Sequence, residues 1–174
     1  MRNNRQRFLM FLSLILMSGL FLNVLPAQAQ PGGFLSDFTF GFYGNSMERS
    51  RLGREDLIAR EGYCPTGGCV LRLDKVEVRP NRAKPGDTLV LNTTYTILTP
   101  EQVALPVSIT RDIYYHDKSL GRTKSVDMRR ENGTWTQDIN FTLPPNAAPG
   151  IYTLVTSINT AYGTAQDTTE FQVD

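Results

Sequence analysis

The residues able to do chemistry in this chain are few. The one histidine, His116, stands among Asp112 and Asp117, with Ser108 and Ser119 close by in sequence. A hydrolytic triad needs a hydroxyl or thiol nucleophile, a base beside it and a third group that orients the imidazole. Neither serine lies in a nucleophile-elbow motif, and His116 falls where a strand runs into a turn, which favours a surface histidine. No Glu-x-x-Glu or Asp-x-Asp spacing marks a carboxylate pair of the kind a glycosidase uses. The chain has no phosphate-binding glycine loop, no H-E-x-x-H and no EF-hand pattern. No catalytic residue, cofactor site or metal site is therefore assigned.

The cysteines are two, in Cys64-Pro65-Thr66-Gly67-Gly68-Cys69. Two thiolates without a neighbouring histidine make a poor zinc site, which needs four ligands. A redox pair takes C-x-x-C spacing on a helix, whereas Pro65 and Gly67-Gly68 oppose a helix and favour a tight turn. In an exported chain an even cysteine count points to a structural disulfide, Cys64 to Cys69. So small a loop pins a local corner more than it stabilises a domain.

Export is expected from the N-terminus. Arg2, Arg5 and Arg7 form a positive start, Phe8 to Leu25 is mostly apolar, and Ala27-Gln28-Ala29 is an A-x-A cleavage site. Residues 1–29 read as a signal peptide and Gln30 as the mature start. The rival reading is a retained anchor, since the apolar run is close to the ~18 residues a spanning helix needs. Pro26 and the small-residue site favour cleavage, so no stable membrane insertion is expected afterwards. Cleavage removes three arginines and no acids. Lys+Arg then falls from 18 to 15 against 17 Asp+Glu, a net charge of about −2. No basic field remains over the whole chain to draw nucleic acid. The 145 or so remaining residues suit one domain.

Residues 30–69 read as an N-terminal extension. Phe38, Phe40 and Phe42 alternate at strand spacing beside Tyr43. A disordered linker should lack so many aromatics. Two readings stay open: the segment 34–43 packs on its own domain, or it adds a strand to another chain's sheet edge. Residues 46–61 carry helical signals, with Ser46 as a cap, an apolar stripe through Leu52, Leu57 and Ile58, and Gly62 as the stop. The alternating Glu and Arg residues there fit a solvated helix face better than a basic ligand patch.

From Val70 the pattern becomes β. Leu71 and Leu73 share a face, and Val76 and Val78 fall in the opposite phase. A bend or bulge is therefore expected at Asp74-Lys75, as in an opening strand that switches sheets. After a turn at Pro80 to Gly86, Leu89, Leu91, Thr93, Tyr95 and Ile97 alternate as a half-buried strand. Val107, Ile109, Ile113 and Tyr115 form the next. Arg111 interrupts its apolar face, which calls for a bulge or a snorkelling side chain. Tyr114 lies on the face opposite Tyr115, so one is core and the other exposed; an exposed tyrosine beside a turn can stack on a ligand. Lys118 to Gly121 turns the chain, Lys124 to Arg130 is a polar edge strand, and Asn132-Gly133 is a hairpin signal. Trp135, Ile139, Phe141 and Leu143 line a strand interrupted at Gln137. Tyr152, Leu154, Thr156 and Ile158 follow, then a turn at Tyr162-Gly163 and a last strand with Phe171 and Val173. Trp135, Tyr152, Leu154 and Phe171 are expected in one core. Three glycosylation sequons, at Asn92, Asn132 and Asn140, read as ordinary strand and turn residues.

Seven strands with turns every dozen residues or so make an all-β sandwich. The stretch from about Val70 to Asp174 resembles bacterial immunoglobulin-like or fibronectin-III-like domains through Pro85-Gly86-Asp87-Thr88-Leu89, Pro149-Gly150-Ile151-Tyr152 and Phe171-Gln172-Val173. That resemblance implies a seven-stranded antiparallel sandwich used as a spacer, adhesion module, accessory domain or assembly subunit. The expected function is a non-enzymatic, periplasmic or extracellular binding protein acting through protein–protein contacts with another envelope or extracellular protein. Phe38, Phe40, Phe42, Tyr43 and Tyr114 are its candidate contact residues. The alternative is a small secreted hydrolase or hydrolase inhibitor with its site in the sandwich loops.

Overall fold

The structure is a computed structural model that describes residues 47–63, 68–123 and 128–174. Among the described residues it is mostly β, with one short helix and two sheets. The elements are β1 (Met47–Leu52), α1 (Arg54–Glu61), β2 (Val70–Arg79), β3 (Arg82–Ala83), β4 (Thr88–Leu98), β5 (Leu105–Tyr115), β6 (Lys118–Thr123), β7 (Met128–Arg130), β8 (Gly133–Thr142), β9 (Gly150–Thr160) and β10 (Gly163–Val173). Sheet A runs β1-β8-β4-β2. Sheet B runs β3-β10-β9-β5-β6, with β7 also paired to β5. Among the described residues there are ten strands where the sequence predicts seven. The additions are β1, the two-residue β3, and an edge on β5 made in two pieces.

The expected bulge is present. Pairing of β2 with β4 shifts register between Leu73 and Lys75. Leu71 and Leu73 before it, and Val76 and Val78 after it, all pack into apolar clusters. The bulge does not move the strand to the other sheet. β2 stays in sheet A to Arg79, and the crossing follows at Pro80-Asn81, after which Arg82 and Ala83 pair in parallel with Gln172 and Val173. The turn that closes β9 on β10 falls one residue before the expected Tyr162-Gly163: Thr160 pairs with Gly163, and Ala161-Tyr162 form the loop.

Five local expectations fail, each for a physical reason. Residues 47–52 are a strand, and only Arg54–Glu61 is helical. The bare edge of β8 offers a ladder that outweighs local helix propensity. The helix stops at Gly62 as expected, in a left-handed conformation, and buries Leu57 of the expected stripe; its N-cap is Gly53 in place of Ser46, with acids in the first turn and Arg60 in the last. The turn before β6 is not at Lys118 to Gly121. Tyr115 pairs with Lys118, and His116 and Asp117 form a two-residue loop with positive φ at both positions (48° and 59°), the geometry that follows strand twist. Asn132-Gly133 does not close a hairpin, because β7 lies in sheet B and β8 in sheet A. The Asn132 side chain accepts from the Thr99 amide and donates to the carbonyls of Thr99 and Glu101, tying the crossing to the end of β4.

The fourth is the core. It comes as two apolar clusters. One gathers Leu89, Leu91, Phe141, Tyr152, Leu154 and Phe171 with others. The second gathers Tyr95, Ile97, Val107, Ile109 and Ile158, and half-buried Trp135 packs on it. Trp135 thus leaves the company of Tyr152, Leu154 and Phe171. Its indole donates to the Glu131 carbonyl (3.0 Å), and Arg130 lies 5.3 Å over its ring. The indole N–H needs a partner, and the rim supplies one. The fifth is Arg111, which neither bulges nor snorkels. It is buried between the two clusters and donates to Gln137 at 2.6 Å.

Candidate functional site: the outer face of sheet A

β1 sets one side of this face. Strand alternation sends Glu48 and Ser50 toward the interior side and Arg49 and Arg51 outward. Glu48 accepts from the buried Tyr95 hydroxyl and pairs with Arg130, which also reaches Met128 Sδ (3.0 Å). Burial holds the Tyr95 hydroxyl pKa above its usual value and the Arg130 guanidinium below its own. Glu48 is therefore the clamp that fixes β1, and with it the two outward arginines.

Gly133 lets β1 approach. It has φ 154°, and a Cβ there would stand 2.7 Å from the Leu52 carbonyl oxygen. Gly133→Ala is expected to cost roughly 1–3 kcal/mol. The loss should show as faster hydrogen exchange in 47–52 with protection retained in β9 and β10; unchanged exchange in β1 would refute the close approach.

β2 sets the opposite side. Beyond the bulge, Lys75, Glu77 and Arg79 point outward, opposite Thr94, Asn92 and Val90 of β4. The bulge also leaves Asp74 on this face, where it accepts from the Thr96 hydroxyl at 2.6 Å. Between the two sides lies a floor of paired polar side chains from β4 and β8. Thr94 bonds Thr136 (2.9 Å), Thr96 bonds Thr134 (2.9 Å), Thr88 bonds Thr142 (3.0 Å), and Asn92 donates to Asp138. Arg51 lies on this floor with its Nε donating to the Thr136 hydroxyl (3.2 Å).

The result is an open groove of about 630 Å³ lined by Arg49, Arg51, Arg60, Lys75 and Arg79 with only two carboxylates, Glu77 and Asp138. Its lining thus carries an excess of three positive charges. Adding the adjoining ion pairs of Arg72 with Glu61 and Asp74 leaves an excess of two. Both lining acids are engaged. Lys75 and Arg79 each lie 2.7 Å from Glu77 and hold its carboxyl below the usual range, the lysine contributing most. Arg49 lies 3.6 Å from Asp138. The arrangement can hold and steer anions. It offers no unengaged carboxylate as a general base.

Of the candidate site residues named from sequence, none that the structure describes lines the groove. Phe38, Phe40, Phe42 and Tyr43 lie outside the described residues, as do Cys64 and hence its pairing with Cys69, which is exposed. Tyr114 is half-buried on sheet B. Its hydroxyl lies 3.2 Å from Asp112, which also accepts from Ser119 (2.7 Å) and Arg122 (3.0 Å). Tyr115 packs on the first cluster and donates to the Pro149 carbonyl. His116 is exposed, with its ring against Tyr115. From sequence, Arg49, Arg51 and Arg60 are set on a solvated helix face in preference to a basic ligand patch and Lys75 and Arg79 have no role, yet all five line the groove. Their signal is charge at alternate positions of strands, Arg49 and Arg51 in one and Lys75, Glu77 and Arg79 in another. It becomes visible only once 47–52 is known to be a strand.

No protein-family model and no curated protein matches this sequence. Solved structures similar to it include the sporulation control protein Spo0M of Bacillus subtilis, 12% identical with a TM-score of 0.42 over 62% of this chain and 50% of that one. The alkylpurine DNA glycosylase AlkC of Pseudomonas fluorescens is 14% identical with a TM-score of 0.46, over 60% of this chain and 30% of that one. A CARDB domain of a Pyrococcus furiosus protein is 13% identical with a TM-score of 0.35, over 61% and 87%. This chain spans half or less of the first two. At such similarity neither fold family nor activity passes from them to it.

Proposed function

We propose that this is an exported, non-enzymatic protein of the cell envelope or extracellular space that acts by contact with another protein, built on an immunoglobulin-like sandwich. The fold reading draws on strand order. β2, β4 and β8 lie in one sheet and β5, β9 and β10 in the other, as strands A, B, E and C, F, G do in that fold. β1 and β3 are then additions to the sandwich edges. Tyr152 supports it further. It sits near the start of β9, and its hydroxyl donates to the Ala148 carbonyl four residues upstream at 2.9 Å, the bond of a tyrosine corner. Export rests on the signal-peptide features of residues 1–29.

The observation that carries the binding role is the cation-rich groove on the outer face of sheet A. A polar, open, rigid sheet face suits a partner better than a small buried substrate, whose sites are concave and mostly apolar. The test is photo-crosslinking in the native envelope. A photoreactive residue replaces Thr94 on the groove floor or Thr168 on the other sheet. A discrete protein adduct from position 94 and none from 168 is the expected result. No adduct from 94 in cells that export the protein would overturn the reading.

A further inference from the structure

We propose that the groove on sheet A holds an extended, carboxylate-rich peptide segment of a partner, with acidic side chains at alternate positions. This rests on the reading of the chain as a protein-binding protein and specifies the partner's chemistry. Three features carry it.

The first is charge. Five cations face two carboxylates in the lining, and those two are already ion-paired. The surplus is local, since the chain from Gln30 onward sums to about −2. An acidic segment would be drawn to this face and held away from the rest of the surface.

The second is spacing. Lys75, Glu77 and Arg79 occupy alternate positions of β2 on one side, and on the other Arg49 and Arg51 stand two residues apart, Arg51 where β1 shifts register between Ser50 and Leu52. Same-face side chains of any extended chain repeat every ~6.6 Å. A peptide lying along the strands therefore presents carboxylates at i and i+2 in step with Arg49 and Arg51, or at i and i+4 in step with Lys75 and Arg79, the cations on either side of Glu77. β1 and β2 are separated by three strand spacings, roughly 14 Å, room for one extended chain whose side chains reach either side.

The third is the floor. It consists of threonine hydroxyls bonded to one another and an Asn–Asp pair, with Val90 the one apolar lining residue. Among the described residues no aromatic ring lines the groove. Nucleobases and sugar rings, which bind by stacking on aromatic faces, find no such platform. A lipid tail finds a single apolar side chain, Val90.

The test is titration calorimetry on the chain from Gln30 to Asp174. The titrants are a peptide alternating Glu and Thr, its Gln–Thr counterpart, polygalacturonate and an oligothymidylate of matched charge. The Glu–Thr peptide should bind and the Gln–Thr peptide should not, with affinity falling as salt is raised, as exposed charge pairs require. Arg51→Ala with Arg79→Ala should weaken binding roughly tenfold at an unchanged melting temperature. Glu77→Gln, which removes a competing acid, should strengthen it. Equal binding by the double variant, no binding of the Glu–Thr peptide, or tighter binding of polygalacturonate or oligothymidylate would overturn the proposal. A partner still crosslinked in the envelope by the double variant would leave the protein-binding reading standing and remove this one.

Discussion

Replacing Phe171 by alanine should lower the unfolding free energy by about 3–5 kcal/mol, a fifth or more of the ~5–15 kcal/mol that a domain holds. Phe171 is 2% exposed on the last strand, directly opposite Tyr152. Its ring stacks on that of Tyr152, with centroids 5.3 Å apart at 16°, and meets Phe141 edge-on at 5.8 Å. Tyr152 in turn lies 4.8 Å from Tyr115. Phe171 therefore joins a run of four rings, and its removal opens a cavity flanked by rigid strands that cannot collapse into it. Phe171→Leu keeps most of the volume and should cost under about 1.5 kcal/mol. Ile151, also in β9, is 60% exposed, and Ile151→Ala should stay within about 0.5 kcal/mol. Urea unfolding of the three variants checks the order. A Phe171→Ala protein as stable as Ile151→Ala would place the ring outside the core.

What the sequence made legible was local. Alternation located β4, β5, β8 and β9, and the phase change between Leu73 and Val76 located the bulge. Apart from the misplaced turns before β6 and β10, its failures concern which strands meet. Asn132-Gly133 looks like a hairpin because the local chemistry of a tight turn and of a sheet crossing is the same. Only the partners of β7 and β8, far along the chain, tell them apart. Glu48-Arg49-Ser50-Arg51 reads as a helix face in isolation, since nothing local announces the open edge of β8. The groove is the product of both problems. Its cations come from β1, α1 and β2, and they share a face because β8 and β4 lie between β1 and β2. Hydrophobic periodicity reports burial along one strand and is silent on which outward faces become neighbours. Arg111 and Gln137 show the same limit from inside. Each stood out as a polar break in an apolar face, and neither break has meaning until the two sheets stack and join them.

That pair supports the second large effect. Gln137→Leu should destabilise the protein by roughly 1.5–3 kcal/mol, and adding Arg111→Met should recover most of the loss. Both side chains are 4% exposed, and the Arg111 guanidinium donates to Gln137 Oε1 at 2.6 Å. Thr93 stands beside Gln137 and Thr156 beside Arg111 in the two ladders, so a polar layer crosses the interior between the apolar clusters. Burial pushes the Arg111 pKa down to about 10, which still leaves it charged at neutral pH. A desolvated cation depends on each acceptor it has, and leucine at 137 removes one without removing the charge. Methionine at 111 removes the charge and nearly keeps the length. Replacing a buried charge by an apolar side chain of similar volume is often neutral or stabilising. The single and double variants form a thermodynamic cycle readable by urea unfolding. A coupling of about 1 kcal/mol or more, with the double variant more stable than Gln137→Leu alone, is the expected result. Strict additivity would mean that Gln137 does not hold the arginine. The layer would then owe its persistence to something other than this bond.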